Sequence, residues 1–328
     1  MAKDLQVLVY RKQKSQTKQD VSQLIQKVVW SGRDGSPTRS LTITLVDTDD
    51  FDRVKISVEK GYYCICKHKG DEIFRGIIQK TDYNDKGTMT FKANDVGIRL
   101  TENKDVFHYK NKKANAIFKD VCKRFKISVG KCCSCKKSIS EISKVTTPWD
   151  IMQEAMQDEY KKTGVRHAVY ASEGKLNFVE RRTNIVKWML ESDNNILSWS
   201  YSESIEKIKT RIKLYSSKNK TLATAKDKSL EKDIGIFQDV NKPDDKIKSK
   251  SKLKSLAKSM LKEEKQPEKV LSITALGLVS MRTGRGCYVV IPDMDIKKTY
   301  YITQDTHTWD GEKYTMSLKL EKTTDLDY

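Results

Sequence analysis

The chain has 328 residues, enough for two or three domains, and 37% of them are hydrophobic. It contains no run of 18 or more apolar residues, so no stable membrane insertion is expected. Lys and Arg number 63 against 44 Asp and Glu, a formal charge of +19 that favours anionic partners. The lysines are spread through every segment, and no basic motif interleaved with base-stacking aromatics occurs, so no specific nucleic-acid partner is expected.

The opening stretch "MAKDLQVLVYRKQKS" lacks the apolar core and cleavage site of a signal peptide, so synthesis in the bacterial cytoplasm is expected. From 26 to 93 short β-branched or aromatic runs predict strands: "KVVWSG", "RSLTITLVD", "GYYCICKHK", "EIFRGIIQK" and "TMTFKA". Lys69–Gly70–Asp71 predicts a hairpin between Tyr62 and Lys80, and a short helix is expected at Asp95–Glu102. The period then changes. "KKANAIFKDVCKRF" puts Ala114, Ile117, Phe118, Val121, Cys122 and Phe125 on one helical face. "TTPWDIMQEAMQDEYKKTG" predicts a second helix. Thr147 is its N-cap, Pro148 its first residue and Gly164 its stop; Trp149, Met152, Met156 and Tyr160 form its buried stripe. "RHAVYASEGKLNFVERR" predicts a hairpin turning at Ser172–Gly174. Strands resume at "ILSWSYS", "KIKTRIKLYSS" and "IGIFQDV", with 217–234 read as an exposed loop. "SKLKSLAKSMLKEEKQP" predicts an amphipathic helix, and "VLSITALGL", "GCYVVIP", "TYYITQDTHTW" and "YTMSLKLE" predict antiparallel strands.

Two strings echo each other: "TMTFK" at 88–92 and "TMSLK" at 315–319. Each closes the same series of a Gly-started strand, a hairpin turn, a second strand and a polar turn. A duplicated β unit is therefore expected.

Catalytic constellations are missing from the sequence, so no enzyme, catalytic residue or cofactor is expected. His68, His108, His167 and His307 fall in no metal or acid–base motif. "HTW" at 307–309 is read in a hairpin turn, with a satisfied or solvated imidazole. "GKCCSCKK" carries Cys132, Cys133 and Cys135, whose flanking lysines favour thiolates. With Cys122 these are weak candidates for a metal site, although their spacing is not that of paired zinc knuckles; the other reading is a surface loop of free thiols. Cys64, Cys66 and His68 share one face of a strand, either as a metal site or as a packed apolar face. "VDTDDFD" (46–52) fails the calcium-loop pattern. "TGRG" (283–286) lacks the rest of a phosphate loop, and Asp150 with Glu154 reads as capping and solvation.

Taken in order, several stretches carry a resemblance: "VVWSGRDGSPTRSLTITL", "IFRGIIQK", "TTPWDIMQEAMQDEYKKTGVRHAVYASEGKLNFVER", "SYSESIEKIKTRIKLYSS" and "TALGLVSMRTGRGCYVVIPDMDIKKTYYITQDTHTWDGEKYTMSLKLE". Together they make nearly the whole chain resemble the baseplate hub proteins of contractile phage tails, the late control protein D-like family, in its Gram-positive prophage and bacteriocin branch. The resemblance implies an α+β, mainly β fold, with two tube-like antiparallel β-barrel or sandwich domains separated by an α/β middle domain. The limits expected are 1–104, 105–192 and 193–328, the last with an inserted helix near 250–265. It further implies a homotrimer that adapts the hexameric tail tube to a trimeric central spike. Two related surfaces per chain let a threefold object meet a sixfold one. Implied partners are the tail tube or tube-initiator protein, the central spike protein and baseplate wedge proteins, in a phage or phage-tail-like particle. Spike or cell-wall activities would reside in separate proteins, since no such segment is seen after Tyr328. The alternatives are a basic nucleic-acid-binding protein and a cell-wall-degrading tail enzyme.

Overall fold

Apolar residues alternate through the first ninety-five positions, and a computed structural model shows what that pattern forms. It describes residues 4–11, 17–46, 57–85, 87–216, 218–243 and 249–322; most of the rejected calcium-loop stretch, 47–52, lies outside them. The first segment supplies β1 (Leu5–Tyr10), β2 (Gln19–Asp20), β3 (Ile25–Arg33), β4 (Ser40–Val46), β5 (Tyr63–His68), β6 (Asp71–Asn84) and β7 (Thr88–Asp95). The hairpin between β5 and β6 turns on Lys69 and Gly70, both at positive φ, as a two-residue turn between twisted strands requires.

Next come α1 (Ile98–Thr101), β8 (Asp105–Tyr109), α2 (Ala114–Arg124), β9 (Ser128–Cys132), β10 (Ile142–Thr146), α3 (Pro148–Thr163), β11 (His167–Ser172) and β12 (Lys175–Glu180). The α3 signals act as expected. The Thr147 side chain accepts from Asp150 N–H, Pro148 opens the helix and Gly164 ends it at φ 72°. Of the expected stripe Trp149 and Met152 are buried, whereas Met156 and Tyr160 are only half-buried; the buried face turns instead toward Ile151, Ala155 and, unexpectedly, Glu159. With α2 it covers a core built on Phe107, Ile117, Phe118, Ile151, Leu176 and Phe178.

The remaining elements are β13 (Ile185–Glu191), β14 (Ile196–Ser204), β15 (Arg211–Tyr215), β16 (Thr221–Lys226), α4 (Lys228–Ile234), β17 (Gln238–Asn241), α5 (Lys250–Glu264), β18 (Glu268–Leu276), β19 (Gly286–Ile291), β20 (Ile296–Asp310) and β21 (Lys313–Glu321). The expected loop at 217–234 is instead largely β16 and α4. Ala223 and Ala225 alternate inward with small side chains, and Asp227 caps α4 by accepting from Leu230 N–H. "IGIFQDV" is strand only from Gln238, with Ile236 and Phe237 exposed.

The chain divides into two compact units, 1–199 with 272–328, and 200–271. In the smaller, β16-β15-β17 form a sheet whose Ile212, Leu214, Ala223 and Ala225 pack on Leu253, Ala257 and Leu261 of α5.

The main sheet runs β14-β18-β21-β20-β3-β4-β7-β6-β5-β1-β2, with β19 also on β20 and β13 on β19. Two parts of it have one strand order: β3-β4-β7-β6-β5-β1 and β14-β18-β21-β20-β19-β13. "TMTFK" lies in β7 and "TMSLK" in β21, where Met89 and Met316 are both buried, as are Phe91 and Leu318. Met89 faces Tyr83 of β6, and Met316 faces His307 of β20. Even the irregularities correspond: the register shifts between Ile78 and Lys80 in β6 and between Ile302 and Gln304 in β20. The parts differ at their far ends, where β1 is antiparallel to β5 but β13 is parallel to β19.

Candidate functional site: strand edges and a buried ion pair

The two repeats meet where β3 pairs antiparallel with the second half of β20, from Gln304↔Arg33 to Asp310↔Lys27. This junction buries an ion pair. Arg39, just ahead of β4, donates from Nη1 to Asp305 Oδ1 at 2.8 Å and from Nη2 to Oδ2. Thr283 adds its backbone N–H at 2.6 Å and its hydroxyl at 2.7 Å to the same Oδ1. Burial alone would push the Asp305 carboxyl up, but the Arg39 charge and hydrogen bonds hold it below the ordinary carboxylate range. The Arg39 guanidinium lies 4.0 Å from the centre of the Trp30 ring. Gly32 is paired with Asp305, and a Cβ there would collide with the guanidinium, so only glycine leaves it room.

His307 completes the cluster: its imidazole is satisfied, one of the two expected states, but it does not lie in the expected turn. It stands within β20 and is fully buried, because the strand continues to Asp310 before turning. Its Nε2 is 2.9 Å from the Met281 carbonyl and its Nδ1 2.9 Å from the Tyr314 hydroxyl. Burial pushes its pKa down to about 4, so the neutral ring donates from Nε2 and accepts at Nδ1. Asp95 accepts from Arg39 N–H at 3.1 Å and Gly97 N–H at 2.9 Å, and burial raises it to about 7.

The open edges mirror this junction. In β20, β19 occupies one side over residues 296–301, and β3 occupies the continuation of that side over 304–310. In β6, β5 occupies the matching side over 71–77, but residues 80–83 have β7 on one side and no strand on the other among the described residues. Likewise β3 is flanked by β4 and β20, whereas its counterpart β14 ends the sheet order beside β18. Each of these strands carries an exposed apolar side chain, Tyr83 on β6 and Leu197 on β14. Single exposed apolar residues are ordinary; their placement on open strand edges marks a surface able to add a strand.

The cysteines carry no activated chemistry. Cys122, Cys132, Cys133 and Cys135 are free thiols that belong to or pack against the middle core, not an exposed loop. Burial raises Cys122 and Cys133 to about 12 and Cys135 to about 11, so desolvation overrides the neighbouring lysines that the sequence reading credited with favouring thiolates. The turn after Cys135 is instead held by its backbone: Lys136 and Lys137 N–H donate to buried Glu159. Cys64 and Cys66 are fully buried, and the His68 ring lies 5.3 Å from that of Tyr314. Among the described residues no three His, Cys, Asp or Glu are placed to hold a metal ion. His108 is exposed on β8, and His167 stacks on Phe178 at 4.8 Å. Asp150, in the first turn of α3, donates its N–H to the capping Thr147 and accepts from the Thr146 hydroxyl, and Glu154 pairs with Lys144. Among the described residues no helix is long and apolar enough to cross a membrane.

The same chain plan occurs elsewhere. The phage-like element PBSX protein XkdQ of Bacillus subtilis is 33% identical over 293 residues, covering 87% of this chain and 89% of that protein. Two solved structures share the fold. The 43 kDa tail protein of prophage MuSo2 from Shewanella oneidensis has a TM-score of 0.72 at 12% identity, over 98% of this chain and 99% of the other. The tail protein from Neisseria meningitidis MC58 has a TM-score of 0.67 at 13% identity, over 98% of each. A family model described as YQBQ-like matches residues 28–321, and the chain belongs to the YQBQ-like family.

Proposed function

We propose that this protein is a structural component of a phage or phage-like tail, and within it the baseplate hub. The relative from a phage-like element and the fold shared with two tail proteins support the tail assignment. The hub assignment rests on one observation: the repeat junction β3:β20 is closed inside the chain, while its equivalents β14 and β6 each have a side with no strand among the described residues. Adding β14 of one copy to residues 80–83 of β6 in the next reproduces the internal junction. It is a heterologous contact, which closes into a ring when the rotation allows. Three copies then present six related repeats, a surface suited to a hexameric tail tube on one side and a threefold spike on the other. Tube or tube-initiator, spike and wedge proteins are its partners in this reading, after synthesis in the bacterial cytoplasm, and it performs no catalytic step.

Mass photometry, alone and with the tube and spike proteins, tests the reading. Trimers, or trimers formed on tube or spike contact, are expected. Only monomers and no binding to either protein would overturn it. Hydrogen exchange then locates the contact: the amides of 80–83 and of β14 become protected on assembly. A trimer that leaves both exchanging freely would keep the oligomer but refute the edge pairing.

A further inference from the structure

A cavity of about 100 Å³ lies away from the open edges, walled by the 32–39 connection, α3, β11 and the turn at 282–284. Its charge is unbalanced. Arg39 and Arg282 both line it. Arg39 is answered by Asp305, whose oxygens are taken up by Arg39 and Thr283. Arg282 is part-buried, with its guanidinium 5.3 Å from the Tyr170 ring; it makes no direct side-chain hydrogen bond or ion pair among the described residues, and the nearby Asp305 carboxylate is already engaged by Arg39 and Thr283. Burial, then the charges of Arg285 and Arg39, push the Arg282 pKa down to about 10, against the opposing pull of Tyr170 and Asp305. His167 also lines the cavity, with Nδ1 buried and without a partner. The one carboxylate in the lining is Asp34, which is exposed. A buried ring nitrogen such as His167 Nδ1 left unpaired costs free energy, and native proteins seldom leave one so.

We propose that this cavity binds one small oxyanion of the phosphate class, with the Arg282 guanidinium as its main donor and His167 Nδ1–H as a second. A planar guanidinium offers two parallel N–H groups to two oxygens of a tetrahedral anion. The volume of about 100 Å³ suits a four-oxygen anion in place of a few waters. The neutral state favoured for buried His167 still allows Nδ1 to donate.

The test is titration of the full chain with inorganic phosphate and with sulfate, against chloride at matched ionic strength. Calorimetry and thermal melting are the readouts. One saturable site per chain and a rise in Tm with phosphate are expected. Arg282→Gln should weaken phosphate binding at least tenfold, while Arg124→Gln, outside the cavity, leaves it unchanged. Without phosphate, Arg282→Gln should melt at or above the parent temperature, because it removes an unbalanced charge. Selenate soaked into crystals should give an anomalous peak beside Arg282. No phosphate effect beyond ionic strength, equal binding by Arg282→Gln, or a lower Tm for that variant without phosphate would each overturn the proposal.

Discussion

Removing the Asp305 carboxylate tests how the two repeats are held together. In Asp305→Ala the Arg39 guanidinium loses both of its carboxylate hydrogen bonds and keeps its charge with only 7% of its side chain exposed. Thr283 loses acceptors for its N–H and its hydroxyl. Breaking a buried pair from one side costs about 3–5 kcal/mol, because the remaining charge stays desolvated. The upper end is expected here, since the charge of Arg282 also repels Arg39 once the carboxylate is gone. Urea denaturation followed by tryptophan fluorescence measures it, and Trp30, in contact with Arg39, reports on the junction itself. The double variant Arg39→Met/Asp305→Leu removes both charges and should lose less than Asp305→Ala alone, a coupling that separates the ion pair from general core damage. A loss below about 1 kcal/mol for Asp305→Ala would show that the guanidinium finds water in the folded state, and the junction argument would fail.

Gly32→Ala puts a Cβ 2.9 Å from Arg39 Cζ, inside contact distance of a fixed group, and should cost about 1–3 kcal/mol in the same assay; a neutral result would mean the guanidinium moves aside. Below neutrality two buried groups act in opposite directions. Unfolded His307 takes a proton near pH 6.5 but burial holds the folded ring neutral to about 4, so its contribution is present above 6.5 and is lost as pH falls toward 4. Asp95 ionises near 3.8 unfolded but near 7 when buried, so its contribution is present below 3.8 and is lost as pH rises through 7. Between about 4 and 6.5 the slopes offset; Asp95→Asn should expose a stability that rises with pH by up to about 1.4 kcal/mol per unit, and an unchanged profile would contradict the assignment. Finally, Cys64, Cys66, Cys122 and Cys287, buried with raised pKa values, should react with a thiol reagent only on unfolding; rapid native labelling of all seven cysteines would contradict their burial.

What could be read in advance was local. The α3 caps, the Lys69–Gly70 turn and the alternation of "TMTFK" and "TMSLK" act over a few residues, so each carries its own signal. His307 was misplaced because "THTWDGE" reads as a turn, whereas the turn follows at Gly311–Glu312 and cross-strand pairing keeps 307–310 extended. Arg39 and Asp305 are 266 positions apart, and nothing near either announces the other. Edge strands such as β14 alternate like central ones, so openness is visible only in the sheet order. One asymmetry between the repeats also needed that order. Leu318 of "TMSLK" faces Asp305, while Phe91 of "TMTFK" faces Thr81. The strand that meets β3 inside the chain therefore carries a buried carboxylate, and the open strand β6 carries a hydroxyl at the matching position. On the proposed pairing, the junction within a chain is locked by an ion pair that must form as the chain folds. The junction between copies rests on backbone hydrogen bonds and side-chain packing, and can form after folding, when a neighbour arrives.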